Sequence, residues 1–397
     1  MEDKLWQACW DGKVEEVKKL LQNSKINTNC QDLEYSRTPI YIACRNGHIE
    51  VVRLLLNDKR VDINRSQSEG ATSFHIACQN GRIDIVKLLL NDRRVDINQT
   101  LNSGHSPFYI ACEFGHIEIV KLLLNDNRVD INKALNNGAT PFFIVCQKGS
   151  TEIVKLLLND KRIDINKSNN NETTPFYISC EKGYLEIVKM LLNDSRVDIN
   201  QVSNTGATPF YVACKHGHIE IVKLLLNDKR VDISKENSNG ATPFYITCQN
   251  EHIDIVKILL NDKRVNINKA TNDDATPFYI ACQAGHIEIV KCLLESGREI
   301  DINKKWNNIK TPMDISKERS NSIQKFSWET DEQFQKVKRN CPKIVELIES
   351  FQKRPIETIA KSRKERIFEF YFSFYFSFYF ILFLMSLIFI FRINLRN

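Results

Sequence analysis

The chain lacks the short motifs whose spacing carries a reaction mechanism. Its 397 residues contain no His-Glu-x-x-His zinc helix, no glycine-rich phosphate loop, no dinucleotide fingerprint and no Cys-x-x-Cys pair. Enzyme activity, a cofactor and a small-molecule substrate therefore have no support, and no catalytic, metal or cofactor residue is assigned. The charged start MEDKLWQACWDGK holds no signal-peptide core. Charge of one sign is also absent from the first 300 residues, which hold 37 basic and 38 acidic side chains. Such a balance lacks the electrostatic footprint of a nucleic-acid surface, so nucleic acid is not an expected partner. The net charge of +6 comes from residues 301–397, with 18 basic against 11 acidic.

What the chain has is a repeat. Thr38-Pro39, Thr72-Ser73, Ser106-Pro107, Thr140-Pro141, Thr174-Pro175, Thr208-Pro209, Thr242-Pro243 and Thr276-Pro277 recur every 34 residues without a slip, and Thr311-Pro312 follows one residue late. Self-similarity at such a period signals a stacked architecture. In the unit TPFYVACKHGHIEIVKLLLNDKRVDISKENSNGA, Thr208 suits an N-cap and Pro209 the first helical position. Gly217-His218 ends that helix, and Ile219 to Leu226 forms a second, interrupted only by Glu220 and Lys223. So wide an apolar stripe needs neighbours on both sides. The Asn- and Asp-rich segment from Asp228 to Gly240, with Val231 and Ile233 alternating, suits a β-hairpin or an extended finger. One such unit cannot bury a core alone, so stability must come from stacking, with caps at the ends.

These residues resemble the ankyrin repeat, whose pattern runs T-P-L-H-x-A, a short helix, Gly-His, a second helix with paired leucines and an Asp-x-Asn finger. The resemblance implies an all-α repeat solenoid with hairpin fingers. It divides the chain into an N-terminal cap (1–37), eight repeats (38–310) and an atypical last repeat with a polar insertion (311–351). The insertion SNSIQKFSWETDEQFQKVKRN is either a docking element or a disordered loop. The chain departs from the family at the position after Thr-Pro-Leu, where Tyr41, Tyr109, Phe143, Tyr177, Tyr211, Tyr245 and Tyr279 replace histidine and only His75 is kept. Helix two ends on Asn-Asp instead of glycine, except at Gly297.

Of twelve cysteines, Cys9, Cys44, Cys78, Cys112, Cys146, Cys180, Cys214, Cys248 and Cys282 share one repeat position. Equivalent helices stand about 8–10 Å apart, too far for a disulfide, so these are core groups, and they imply a reducing compartment for the repeats. His48, His116, His218, His252 and His286 share the Gly-His position, where packing and helix-start bonding explain them. Asn64, Asn98, Asn166 and Asn171 begin glycosylation triplets, chance matches in a cytosolic chain.

The resemblance implies a protein partner in the concave groove, where the two residues after Ala-Cys map. These are Arg45 and Asn46, Gln79 and Asn80, Glu113 and Phe114, Gln147 and Lys148, Glu181 and Lys182, Lys215 and His216, Gln249 and Asn250, Gln283 and Ala284. Phe114 is the apolar exception, and Trp306 is expected to be a second exposed aromatic anchor. The tyrosine row either faces the groove or is buried.

After a basic linker (352–369) comes FYFSFYFSFYFILFLMSLIFIF, residues 370–391, uncharged throughout. As a helix it would span about 33 Å, the thickness of a hydrocarbon core. Lys353, Arg354, Lys361, Arg363, Lys364 and Arg366 precede it, against Arg392 and Arg396 after it, which sets the repeats on the cytosolic side of a single-pass anchor. Its period-two alternation also fits a strand, and its low complexity a stretch without a role. The function expected is a membrane-tethered interaction scaffold. A free cytosolic adaptor that recruits substrates to an enzyme complex, and a relative of an ankyrin-bearing channel, are the alternatives.

Overall fold

The computed structural model describes residues 2–327 and 329–353. The expected anchor at 370–391 lies outside them, as does the linker from residue 354. No helix among the described residues is long and apolar enough to cross a membrane. The described residues form two compact units, one up to residue 213 together with 220–232, the other 214–219 together with those from 233 to 353.

In the first unit the helix pairs are α1 (Glu2–Asp11) and α2 (Val14–Leu21), α3 (Pro39–Asn46) and α4 (Ile49–Asn57), α5 (Ser73–Gln79) and α6 (Ile83–Asn91), α7 (Pro107–Glu113) and α8 (Ile117–Leu124), α9 (Pro141–Lys148) and α10 (Thr151–Leu158), α11 (Pro175–Lys182) and α12 (Leu185–Leu192). First helices pack on first helices and second on second, from α1 to α11 and from α2 to α12. The pair α13 (Pro209–Lys215) and α14 (Ile219–Asn227) spans the division between the units. The second unit continues the pattern with α15 (Pro243–Gln249), α16 (Ile253–Leu260), α17 (Pro277–Gln283), α18 (Ile287–Glu295), α19 (Pro312–Asn321) and α20 (Asp331–Lys353).

Each first helix after α1 opens on a hydroxyl. Thr38, Ser106, Thr140, Thr174, Thr242, Thr276 and Thr311 are extended, accept the amide three residues on and precede proline at the first helical position. Thr208 accepts the Tyr211 amide at 3.1 Å in the same way. Helices of this length are unstable alone in water, so burial must hold them. Phe108, Phe142, Phe176, Phe210, Phe244 and Phe278 are at most 1% exposed, and each contributes roughly 1.5–3 kcal/mol. The wide apolar stripe assigned to the second helix belongs instead to the first. From Pro39 to Cys44 every residue is buried, whereas α8 buries only Ile119, Val120 and Leu123. All nine column cysteines are buried free thiols, and burial raises their pKa.

His75 is the family histidine of α5. Its Nδ1 accepts the Thr72 amide at 3.2 Å and lies 2.8 Å from Thr72 Oγ1, while Thr72 accepts the His75 amide. Burial is the chief influence on the ring and lowers its pKa to about 4, against the attraction of Asp96.

The fingers are not β-hairpins. Among the described residues the only bridge joins Trp306 and Lys310. The finger amides are captured locally instead, since Asp126 accepts Arg128 N at 3.0 Å and Asp130 accepts Asn132 N at 3.1 Å. One carboxamide per repeat then bonds to the backbone of the next. Asn98 donates through Nδ2 to Arg128 O at 2.7 Å and accepts Asp130 N at Oδ1 at 2.8 Å. Asn29, Asn64, Asn132, Asn166 and Asn200 repeat this within the first unit and Asn268 within the second. Each finger arginine faces backward. Arg128 pairs with Asp126 at 2.5 Å and donates to Leu90 O, a carbonyl near the end of α6, at 2.9 Å, a favourable place for a cation. The fingertips touch too, closely enough that a Cβ on Gly104 (φ +91) would meet Asn136 N at 2.9 Å.

The polar insertion is folded around a buried ion pair between Arg319 and Glu329. The Arg319 guanidinium lies 4.2 Å from the Phe326 ring centre and 5.6 Å from that of Phe334. Helix α20 starts at Asp331, inside the segment read as a possible loop, and runs through Pro342 into the last second helix.

Two outcomes test these contacts. Asn132→Ala should lower stability by about 1–2 kcal/mol in urea titration, whereas Asn171→Ala, whose side chain is exposed, should change little. Because the folded pKa of His75 lies below its unfolded value, its contribution is complete above about pH 6.5 and is lost as pH falls toward 4. Urea midpoints at pH 7 and pH 5 should therefore differ less in His75→Tyr than in wild type, by on the order of 2 kcal/mol in stability.

Candidate functional site

Apart from Trp306, the positions assigned to a partner lie at the C-terminal ends of first helices or in the residue that follows, where the core face gives way to solvent. They divide by what their side chains touch. Asn46, Asn80 and Asn250 serve the stack, donating through Nδ2 to Trp10 O at 3.0 Å, Arg45 O at 3.2 Å and Lys215 O at 2.8 Å. The histidines at the start of the second helices make the same kind of joint. His48, His116, His252 and His286 form no side-chain cap, and each ring Nε2 instead lies 2.8–3.0 Å from a carbonyl of the preceding repeat. Helix-start bonding, expected from sequence, is replaced there by a bond between repeats.

Other members of the set reach solvent. In the first unit Arg45, Gln79, Phe114, Lys148 and Lys182 are exposed, while Glu113, Gln147 and Glu181 are half-buried. Phe114 is 50% exposed and stacks on His116 with ring centres 6.4 Å apart. Beside it Glu113 lies 3.9 Å from Lys148 and 3.8 Å from His105. Lys182 lies 3.7 Å from Glu181. In the second unit Lys215 and His216 are exposed, and Gln249, Gln283 and Ala284 are half-buried.

Trp306 is a correction. It is half-buried, donates through Nε1 to Asp273 Oδ2 at 2.9 Å and stacks on Tyr279 at 6.0 Å, so it holds the finger in place of standing free as an anchor. The tyrosine row is also settled as core. Tyr41, Tyr109, Tyr177, Tyr211, Tyr245 and Tyr279 are at most 8% exposed. Burial raises the phenol pKa of Tyr41, Tyr109, Tyr177 and Tyr279.

The first finger, QDLEYSR, was not singled out in sequence. Arg37 lies between Tyr35 and Trp6, its guanidinium 4.6 and 5.8 Å from their ring centres, and its carbonyl accepts Trp6 Nε1 at 3.1 Å. Asp32 anchors it at 2.6 Å. Burial pushes the Asp32 carboxyl up, but the Tyr35 amide and Arg37 more than offset this and hold it below the usual carboxylate range. Leu33 and Tyr35 project into solvent. Tyr35, Arg37, Arg45, Glu69, Gln79 and Asn80 border an open cavity of about 410 Å³. The available signal was the finger's departure from the composition of the others.

Among the described residues no group of three or more His, Cys, Asp or Glu side chains is placed to hold a metal ion. The site can offer apolar contact, hydrogen bonds and exposed charge.

A search of curated proteins finds no match to the chain. The family model for ankyrin repeats, built as three copies, matches residues 5–100, 93–169, 163–237 and 229–305. The match covers most of the chain, stops before Thr311, and follows the hydroxyl-capped first helices and bonded fingers described above. The chain belongs to the ankyrin repeat family.

Proposed function

We propose that this chain is a protein-binding scaffold whose recognition face runs along the ends of the first helices. Ankyrin repeats generally act as non-enzymatic modules that bind other proteins. The observation that carries the reading is Phe114, an aromatic ring left 50% exposed at a position filled elsewhere by polar residues or alanine. Aromatic and arginine side chains are enriched at interfaces and concentrate binding energy there. The exposed Arg45, Gln79, Lys148 and Lys182 complete the face in the first unit, and Lys215, His216, Gln249 and Gln283 supply it in the second. Asn46, Asn80 and Asn250 act through the stack, and Trp306 through its finger.

The scaffold is tethered to a membrane through residues 370–391, with the repeats in the cytosol. This part rests on sequence: an uncharged run of about the right length, flanked upstream by basic residues. The column of free cysteines agrees with a reducing compartment.

Two measurements test the proposal. Immobilised wild-type chain should retain a protein partner that Phe114→Ala binds at least about tenfold more weakly at an unchanged urea midpoint. Equal retention would remove Phe114 from the site. On alkaline carbonate extraction the full chain should stay with membranes, and a chain ending at Arg366 should be released. Release of both would leave a free adaptor.

A further inference from the structure

The glycine before the Gly-His histidine has one exception. Gly47, Gly81, Gly115, Gly149, Gly183, Gly217 and Gly285 all take positive φ there, and the equivalent residue of the eighth unit is Glu251, at φ 61. A side chain at this conformation is strained, and strain is retained where the surroundings over-determine it. Here the surroundings are helix α20. Lys336 Nζ lies 2.7 and 2.6 Å from the two Glu251 carboxylate oxygens, and His286 Nδ1 lies 3.5 Å from Oε2.

The same stretch of α20 passes close beside them. A Cβ on Gly285 would meet Val337 Cα at 2.9 Å. Asn340 Nδ2 donates to Gly285 O at 2.8 Å, and Cys341 Sγ lies 3.8 Å from Cys282 O. A cavity of about 370 Å³ is lined by Gln249, a position of the proposed face, with Asn250 and Ala284 beside it, and by Gln333, Lys336 and Val337 of α20. The other second helices run eight or nine residues, a length that the part of α20 after Pro342 supplies by itself. The part before Pro342 lies against the ends of two first helices.

We propose that Asp331–Cys341 is an intramolecular ligand that closes the recognition face of the last regular repeats, clasped shut by Glu251 and Lys336. The inference rests on the reading of that face as the partner surface. It identifies the external competitor as an amphipathic helix presenting a lysine to Glu251 and a small apolar residue to Gly285.

Amide hydrogen exchange on the full chain tests it. Lys336→Glu should raise exchange across 331–341 by about tenfold or more while leaving 343–353 and α18 unchanged, and the swap E251K/K336E should restore protection. Glu251→Gly should loosen 331–341 while raising the midpoint for the repeats, because it removes the strained residue. A labelled peptide of residues 331–345 should bind the Lys336→Glu chain and not wild type. Unchanged exchange in Lys336→Glu, failure of the swap, or no peptide binding to the opened chain each overturns the proposal. Exchange is read without a partner, so a failed partner search leaves the clasp standing, and a found partner does not rescue it.

Discussion

The stack rests on one carboxamide, carried by every finger but that of Ser234. A primary amide carries a donor and an acceptor in the geometry of a peptide group, so the side chain of Asn98 engages Arg128 O and Asp130 N as a neighbouring strand would. The two bonds fix which residue of one finger faces which residue of the next, at sequence offsets of 30 and 32. That double constraint explains why the period does not drift. A lengthened finger would carry donor and acceptor past their partners. The offset grows by one only at Asn29, within the first cap, and at Asn268, whose partners lie in the repeat before the last. Substitution is as rare. At the equivalent position of the seventh unit stands Ser234, and the aspartate of the eighth finger is Asn266.

Around this joint the other contacts fall into a division of labour. Thr-Pro starts the first helix, the phenylalanine and cysteine columns fill the space between first helices, and the finger arginine reaches back to the preceding second helix. The Gly-His histidine reaches back as well. A repeat thus holds its predecessor through its finger arginine, with histidine added at His48, His116, His252 and His286, and its successor through asparagine except at Ser234. The exposed Glu-Lys pairs on the second helices, such as Glu118 with Lys121 at 2.7 Å, contribute little beside these.

How much of this was legible follows from the range of each interaction. Thr140 caps a helix that begins at the next residue, so its role shows in a window of four residues. The cysteine column was read correctly as core because a constant apolar position at a constant period has few other meanings. The partners of Asn98 and Arg128 lie a full repeat away, and since every repeat carries the same letters, the sequence shows that they recur but not that they join neighbours. Alternating Val and Ile suggested strands, whereas local aspartates had already captured the amides that a ladder requires. Within the candidate site, Phe114 stood out by its chemistry. Asn46 and Asn80 differ from their counterparts in ways that resemble surface variation until their bonds to the previous repeat are seen. Trp306 misled for the same reason, because an aromatic in a polar finger looks exposed until Asp273 and Tyr279 are placed beside it.

The asparagine joint has a chemical consequence. Asn64, Asn98 and Asn166 each stand two residues before Ser or Thr, the arrangement that oligosaccharyltransferase recognises. The atom that would receive the sugar is Nδ2, which donates to Arg94 O, Arg128 O and Arg196 O at 2.7 Å. A glycan there would leave the nitrogen a single hydrogen and set a bulky saccharide where the next finger stands. At those three positions, stacking and N-glycosylation exclude one another.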